Sequence, residues 1–573
     1  MPKVVTFFVV NVVVLVAVAF LAVAPESAYA DGCSEAYSGG DGMTVITAYL
    51  ISKQGDLEAL ARDRTCDAGD YFRQTKDINL TGETWAPIGS ESVPFQGLYD
   101  GGGHRITGLT FGALTTSYTG FFGVVNGAEI HDLTIVNPSM GDGVRAFDSI
   151  GVLAGQAASS AITNVNVVGA TITLSKDEGF VGGLIGWAVQ TTIDNSSVSG
   201  TIDAGSSTGG LVGLSCASRI AWSMSTVVVT GSSYVGGLGG QVTADNCLLT
   251  PASTITCAGI NMCFEAGVFD SHATGDVSGI NEVGGLVGWI VNTPVKRSFA
   301  TGSVTGTLDT GGLIGLLYGT SITTDTYARG RVSGSSQTGG LVGGVDPNAV
   351  VENSYATGHV TGSDSSGGLV GVEISVGTIA PESAFWDSAT TGQASSLRGA
   401  GKTTAEMKAI STFTNAGWSI ATGRDLSKVW GICGAVNDGY PFLINTYAGT
   451  TDPCEIADLE PSVPPVTLRV TSTAAQGTSI ATRLHVSGAG KITQVGTLKG
   501  TKAVVCRAKK RPTRAGYVNM VCTMNAATQA RLLTKRVKVV LVTTFTSASG
   551  TVVRRQRTVT MARIVVKPIA VTG

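Results

Sequence analysis

Residues 354–371 read "SYATGHVTGSDSSGGLVG", five glycines in eighteen residues with no long apolar run. Glycine costs about 0.5–1 kcal/mol relative to alanine inside regular structure, so a chain that repeats such a phrase needs a geometric reason. The Gly-Gly pair is the marker. Pairs begin at Gly182, Gly209, Gly236, Gly284, Gly311, Gly339 and Gly367, with spacings of 27, 27, 48, 27, 28 and 28 residues. The long interval is one period plus an insertion, residues 241–266, which carries Cys247, Cys257 and Cys263. A second phrase precedes several pairs: "SHATGDVSG" at 271–279, "SFATGSVTG" at 298–306, "TYARGRVSG" at 326–334 and "SYATGHVTG" at 354–362.

Fixed periods of this size signal stacked repeats. Within a unit the apolar residues alternate, as at Ala356, Gly358 and Val360, which is strand periodicity. Ile, Val and Thr fill the strand positions, while Gly, Ser, Asn and Asp fill the corners. The expected fold is all-β: a β-helix (β-solenoid) of about 27-residue coils, each with three short strands and three turns, followed by a small C-terminal β-sandwich. Glycine at the corners then supplies either positive φ or room for the next coil. No single coil can bury its own apolar face, so stability comes from stacking.

The phrases "GGLVGW", "GGLIGL" and "SYATGHVTG…GGLVG" resemble the GLUG-motif repeats of bacterial secreted and cell-surface proteins. Upstream, "YFRQTKDINLTGETWAPIG" and "PFQGLYDGGGHRITGLTFG" are similar to the opening coils of that family. Downstream, "FWDSATTGQ", "GKTTAEMK" and "VWGICGAVNDGYPFL" are similar to its closing segment. The resemblance covers about residues 45–445 and implies an extracellular, β-helix-like architecture more than an activity.

Composition frames the rest. Glycine is 78 of 573 residues, roughly twice its usual share of about 7%. The N-terminus reads as a signal peptide over residues 1–30: Lys3, an apolar stretch at 4–24, then Ala28-Tyr29-Ala30 as an A-x-A cleavage site. The apolar run is also long enough for an uncleaved anchor. Ten cysteines suit an oxidising compartment. They suggest local pairs, Cys33 with Cys66, Cys433 with Cys454 and Cys506 with Cys522, leaving Cys216, Cys247, Cys257 and Cys263 around the insertion. Beyond a proline-punctuated linker at 459–467, charge changes sign. Residues 465–573 hold nineteen Lys plus Arg and no Asp or Glu, leaving nineteen basic against forty-one acidic residues, a formal −22, before them. The expected organisation is 31–149 as N-terminal cap and first coils, 150–379 as repeat coils, 380–458 as closing segment and 468–573 as basic β-sandwich.

Candidate chemistry is sparse. Some members of the resembled family join such repeats to a zinc peptidase that attacks immunoglobulin A, which requires H-E-x-x-H. None of His104, His131, His272, His359 and His485 is followed by Glu. "SLRGAGKTT" at 396–404 lacks the first glycine of a phosphate-binding loop, since Ser396 stands there; a turn into a short helix explains it. Polysaccharide hydrolysis needs two facing carboxyls. The candidates are Asp77, Asp100, Asp132, Asp194, Asp276, Asp325 and Asp387, of which Asp100 suits an Asp-Gly turn and Asp276 and Asp325 suit solvent-facing repeat positions. Trp187 and Trp289 occupy one repeat position, where packing on a neighbouring coil competes with sugar stacking. Trp386, Trp418 and Trp430 suit a cap over the solenoid end, where open strand edges invite aggregation.

The sequence thus predicts no catalytic residue, cofactor or metal. It predicts an exported, non-enzymatic binding or adhesion protein, extracellular or surface-associated, with no transmembrane segment after signal cleavage. Its partner would be an anionic wall polymer, a glycan or a surface protein rather than nucleic acid. Polyanion contacts are expected at Arg507, Lys509, Lys510, Arg511, Arg514, Arg554, Arg555 and Arg557. A carbohydrate-active β-helix enzyme is the alternative.

Overall fold

The computed structural model describes residues 37–62, 69–112, 117–141, 149–175, 179–245, 265–375, 383–446, 454, 466–548, 550 and 552–563. The signal segment, the linker to residue 465, Cys33, Cys66, Cys247, Cys257 and Cys263 lie outside the described residues. So does most of the insertion. The chain divides into two compact units, Met1–Ala448 and Gly449–Gly573. No helix among the described residues is long and apolar enough to cross a membrane.

The first unit is a β-solenoid. One parallel sheet runs without a break through eleven strands, from Tyr49–Ile51 to Val350–Glu352. Two nine-stranded parallel sheets and a fourth, broken side complete the wrap. Register confirms the repeat: Gly182, Gly209, Gly236, Gly284, Gly311, Gly339 and Gly367 pair in one unbroken line. The pairing of Gly236 with Gly284 spans the 48-residue interval, so the insertion leaves the stacking untouched. A coil holds five short strands rather than three, for instance Pro294–Lys296, Phe299–Ala300, Val304–Thr305, Leu308–Gly311 and Ile314–Tyr318. The Thr301-Gly302 bend splits one expected strand, and the Gly-Gly corner splits another.

That corner explains the glycines by proximity alone. A Cβ on Gly284 would lie 2.0 Å from the Val287 carbonyl oxygen and 2.7 Å from the Gly315 amide of the next coil, and one on Gly285 would lie 2.2 Å from the Gly312 oxygen. Neither residue has positive φ. The left-handed corners are instead held mostly by non-glycine residues.

Polar side chains close the remaining hydrogen bonds. The leading Ser or Thr of the second phrase forms a buried column. The amide of Ser196 donates to the Ser223 hydroxyl (3.2 Å), that of Ser223 to Ser271 (3.1 Å), that of Ser271 to Ser298 (3.2 Å) and that of Thr326 to Ser354 (3.1 Å). Ser223, Ser271, Ser298 and Ser354 each pass their own proton to the carbonyl two residues back. Each corner therefore replaces a ladder bond with a side chain that is both acceptor and donor. The next residue of the phrase stacks outside: His272, Phe299, Tyr327 and Tyr355 lie with centroids 4.6, 4.7 and 5.2 Å apart and ring planes within 5°.

Both ends are covered. Helix Gln54–Arg62 buries Leu57 and Leu60 in the solenoid core. At the other end Ala400–Lys402 pairs with Phe385–Asp387, and Ser395 and Ser396 accept the last free amides, at Gly368, Leu369 and Val370. Trp386 fills the core there. Trp418 and Trp430 do not cover the end as expected; they lie along the flank, packed on the aromatic row with Phe413 and Tyr440. The side chains of Tyr327, Tyr355 and Phe385 give them an apolar surface to cover there.

The second unit is a β-sandwich. One antiparallel sheet holds Leu468–Gln476, Ser479–Val486 and Gly516–Thr523; the other holds Val504–Lys510, Gly490–Leu498, Val537–Ser547 and Val552–Met561. Cys506 and Cys522 are disulfide-bonded, but across the two sheets rather than between neighbouring strands, so the bond pins the layers together. Cys216, Cys433 and Cys454 are also disulfide-bonded.

The hydroxyl column sets a test. Ser271→Ala leaves a buried amide without its acceptor, and such a loss costs about 1–3 kcal/mol. A lowered thermal midpoint is expected for Ser271→Ala and a much smaller change for Ser271→Thr, because in the neighbouring column the Thr191 hydroxyl accepts the Ser160 amide (3.3 Å) and donates to the Val189 carbonyl (2.9 Å). Equal midpoints for wild type and the alanine variant would show the column to be incidental.

Candidate functional site

Two ladders of left-handed residues run along the outside of the solenoid, and they place its reactive side chains. The first follows the eleven-stranded sheet: Asp132, Asn164, Asn195, Trp222, Asp270, Arg297, Asp325 and Asn353 all have φ between 46° and 59°. Asn and Asp tolerate this backbone best among non-glycine residues. Their side chains link successive coils. The Asn164 amide donates to Asp132 (2.7 Å), Arg297 makes two 2.7 Å bonds to Asp270, and Ser383 donates to Asn353 (2.6 Å).

At its start this ladder gathers Asp100, His131 and Asp132, all buried, with ligand-type atoms within 4.8 Å of one another. The residue types would suit a cation. The wiring does not, because protein donors already occupy the carboxylates. Arg73 Nε lies 3.1 Å from Asp100, the Gly102 amide donates to Asp100 (2.8 Å), and His131 Nδ1 stands 3.3 Å from Asp132 and 3.5 Å from Asp100. An incoming cation would have to displace Arg73. The cluster is a buried brace between the coils of residues 73, 100 and 131.

Asp100 and Asp132 are the only two of the seven sequence candidates brought together. Asp77 is exposed, and the Arg105 amide holds its carboxyl below the usual range. Asp194 is exposed, and Asp276 is exposed with the Ser303 amide bound to it (2.8 Å). Asp387 is fully buried, capping the helix Ser388–Thr391 and accepting from Tyr440 (2.8 Å). Asp325 is half-buried rather than fully solvent-facing. The Trp430 indole of the closing segment docks on it (2.9 Å), and that burial pushes its carboxyl upward.

The second ladder stands two residues before every Gly-Gly pair from Gly209 onward: Ser207, Tyr234, Glu282, Asp309, Gln337 and Ser365, with φ between 45° and 54°. Facing it is the row of Trp187 and its repeat counterparts. Trp187 is buried with Phe180 and Leu214, and Trp289 stacks on Tyr234 at 5.1 Å, so both indoles pack as coil neighbours. Gly344 opens a gap in this row, and Asp309 fills it: a Cβ on Gly344 would lie 2.3 Å from Asp309 Oδ1. That oxygen is buried without a hydrogen-bond partner. Burial first, and the Glu282 carboxylate one coil away second, push Asp309 up to about 7. Glu282 is itself raised by burial. Neither acid stands out in the sequence, because their ladder position otherwise carries Ser, Tyr or Gln. The only available signal is two acids one repeat apart.

In the sandwich unit, Arg507, Lys509, Lys510, Arg511, Arg514, Arg554, Arg555 and Arg557 are all exposed. They form two groups, one on the edge strand Val504–Lys510 and the turn that follows it, the other on the opposite edge strand Val552–Met561. A row across its outer face links them, from Lys509 through Thr493 and Thr544 to Arg554. A third basic group, missed in the sequence, lines a cavity of about 320 Å³: Lys499, Arg531, Lys535, Arg536 and Lys538.

Comparison with known proteins places the GLUG motif at residues 181–203 and 334–361. A protein of Evansella cellulosilytica, named as a Gly-rich membrane protein, is 34% identical over 98 residues, which are 16% of this chain and 11% of that protein. The chain therefore spans about a tenth of that relative's length. Among solved structures, a Bacteroides ovatus protein named as an immunoglobulin A1 protease aligns at 16% identity and a TM-score of 0.34, over 72% of this chain and 96% of that one. A second, named IgA1 protease, aligns at 15% identity and a TM-score of 0.26, over 58% of this chain and 21% of that one. Neither score carries an argument about activity.

The Asp309 environment gives a pH signature. Its native value lies above the unfolded one, so the folded chain binds more protons between about pH 4 and pH 7. Stability from this group is complete below pH 4 and falls as pH rises through 7. Asp309→Asn should therefore gain stability relative to wild type as pH rises from 3.5 to 8, by an amount on the order of a few kcal/mol. Melts of both proteins across that range check this, and a pH-independent difference would refute it.

Proposed function

We propose that this is an exported, non-enzymatic β-solenoid that binds a glycan or protein partner outside the cell, and that its basic C-terminal unit engages anionic surface polymers. The carrying observation is the sandwich: eight exposed cations in two groups joined by a row across one sheet, in a segment of nineteen basic residues and no acid. Such a surface attracts polyanions at range. The solenoid supports the reading differently. The Asp100, Asp132, Asp325 and Asp387 carboxylates are committed to braces, caps and docking contacts. An apolar segment at 4–24 followed by Ala28-Tyr29-Ala30 supports export.

A second reading has one observation in its favour. A carboxyl held protonated near neutral pH beside another carboxylate is the arrangement that glycoside hydrolysis uses, and Asp309 with Glu282 has those elements. Release of reducing sugar by the purified protein, lost in Asp309→Asn, would establish this reading over the first.

The polymer reading is tested by binding the full chain to a purified phosphodiester wall polymer. Retention is expected at about 50 mM salt and release by about 0.5 M, where screening is short-ranged. The Arg554→Gln, Arg555→Gln, Arg557→Gln triple variant should elute earlier. Salt-independent retention, or none, would overturn the reading.

A further inference from the structure

We propose that a groove centred on Trp222, where the first left-handed ladder meets the outer row of the fourth side, is a binding subsite for a neutral oligosaccharide. The inference rests on the binding-scaffold reading above and supplies its ligand class and place.

Three independent features converge there. The first is shape. From His272 to Phe385 the outer row is aromatic, and the closing segment packs against Phe299, Tyr327, Tyr355 and Phe385 within it. Towards the N-terminus the row changes to Met224, Ser197 and Asn166, where Asn445 and Thr446 form the opposite wall. Between them is a cavity of about 340 Å³, lined by Asn164, Asn195, Trp222, Met224, His272 and Asn445 among others.

The second is backbone cost. Trp222 has φ 53° at a ladder position that carries Asn in the two preceding coils. Positive φ in a bulky residue is an outlier, and such strain persists where the surroundings impose it, often at functional sites. Burial does not compensate, because Trp222 is 45% exposed and Met224 beside it 41% exposed. Asparagine would serve the fold better. The indole is held at the surface against a local preference.

The third is chemistry. The groove sets an exposed aromatic face among side-chain amides and hydroxyls. Asn195 reaches Asn164 (3.4 Å), Asn164 reaches Asp132, and Ser197 donates to Asn166 (2.6 Å), so these amides are oriented by their ladder partners. Pyranose rings present the complement: a C–H face that lies on an aromatic ring, and hydroxyls that exchange hydrogen bonds with amides, which act as donor and acceptor together. The groove is also electrically quiet. Its carboxylate, Asp270, is neutralised by the two-bond contact with Arg297, and burial keeps His272 below its ordinary value, hence uncharged at neutral pH. A neutral sugar suits it, whereas acidic polymers have the basic sandwich.

Calorimetric titration of the full chain with cellohexaose and chitohexaose as neutral probes, and with hexagalacturonate as the acidic probe, tests this. At least one neutral hexamer should bind. Trp222→Asn should weaken that binding by about tenfold or more, roughly 1.4 kcal/mol, with a melting point no lower than wild type because asparagine suits the ladder. The triple arginine variant should keep neutral binding and lose the acidic probe. Unchanged neutral binding in Trp222→Asn overturns the site. If only the acidic probe binds, through the arginines, or if no probe binds, the subsite falls, while the scaffold reading is decided separately by the wall-polymer test.

Discussion

The solenoid depends on how closely one turn of backbone can lie upon the next. At the Gly-Gly corner there is no room for a methyl group on either residue: the first meets a carbonyl of its own coil, the second a carbonyl of the coil above. Parallel strands need a spacing of about 4.8 Å to hydrogen-bond. A side chain at that corner would force the coils apart and unzip the sheets on both sides. The glycine content, the uniform period and the line of paired glycines are one constraint seen at three levels.

Once that spacing is fixed, the other corners can carry polar side chains, and each column of identical positions becomes a repeating structure of its own. Ser and Thr complete the buried amides; Asn and Asp hold the left-handed turns; aromatics lie flat on one another outside. A column of this kind makes its exceptions visible. Trp222 in a column otherwise of Asn and Asp with one Arg, and Glu282 with Asp309 in a column otherwise of Ser, Tyr and Gln, depart from what the fold asks for.

Much of the architecture was legible in the sequence, and the limits have physical causes. The stacking period and the insertion between Gly236 and Gly284 follow from spacing alone, because proximity admits only glycine at the corner. The five-strand coil was not legible, since splitting a strand at Thr301-Gly302 alters no hydrophobic alternation. Nor was the flank position of Trp418 and Trp430: apolar content shows that they must be covered but not by what. Spacing marks Cys506 and Cys522 as partners, but not that their bond joins facing sheets, which strand pairing decides. Asp309 was invisible because its character comes from the missing side chain at Gly344, a contact across coils.

The flank-bound closing segment has one more effect. It touches several consecutive coils at once, through Trp430 on Asp325, Pro441 on Tyr355 and Tyr440 on Asp387. A linear stack in which each unit touches only its neighbours can fray from an open end. Here the terminal coils cannot peel away one at a time, because the clasp across them must release first. That converts gradual fraying into a single, slower event, and gives this end of the rod resistance to proteolytic trimming that its modest local contacts would not provide.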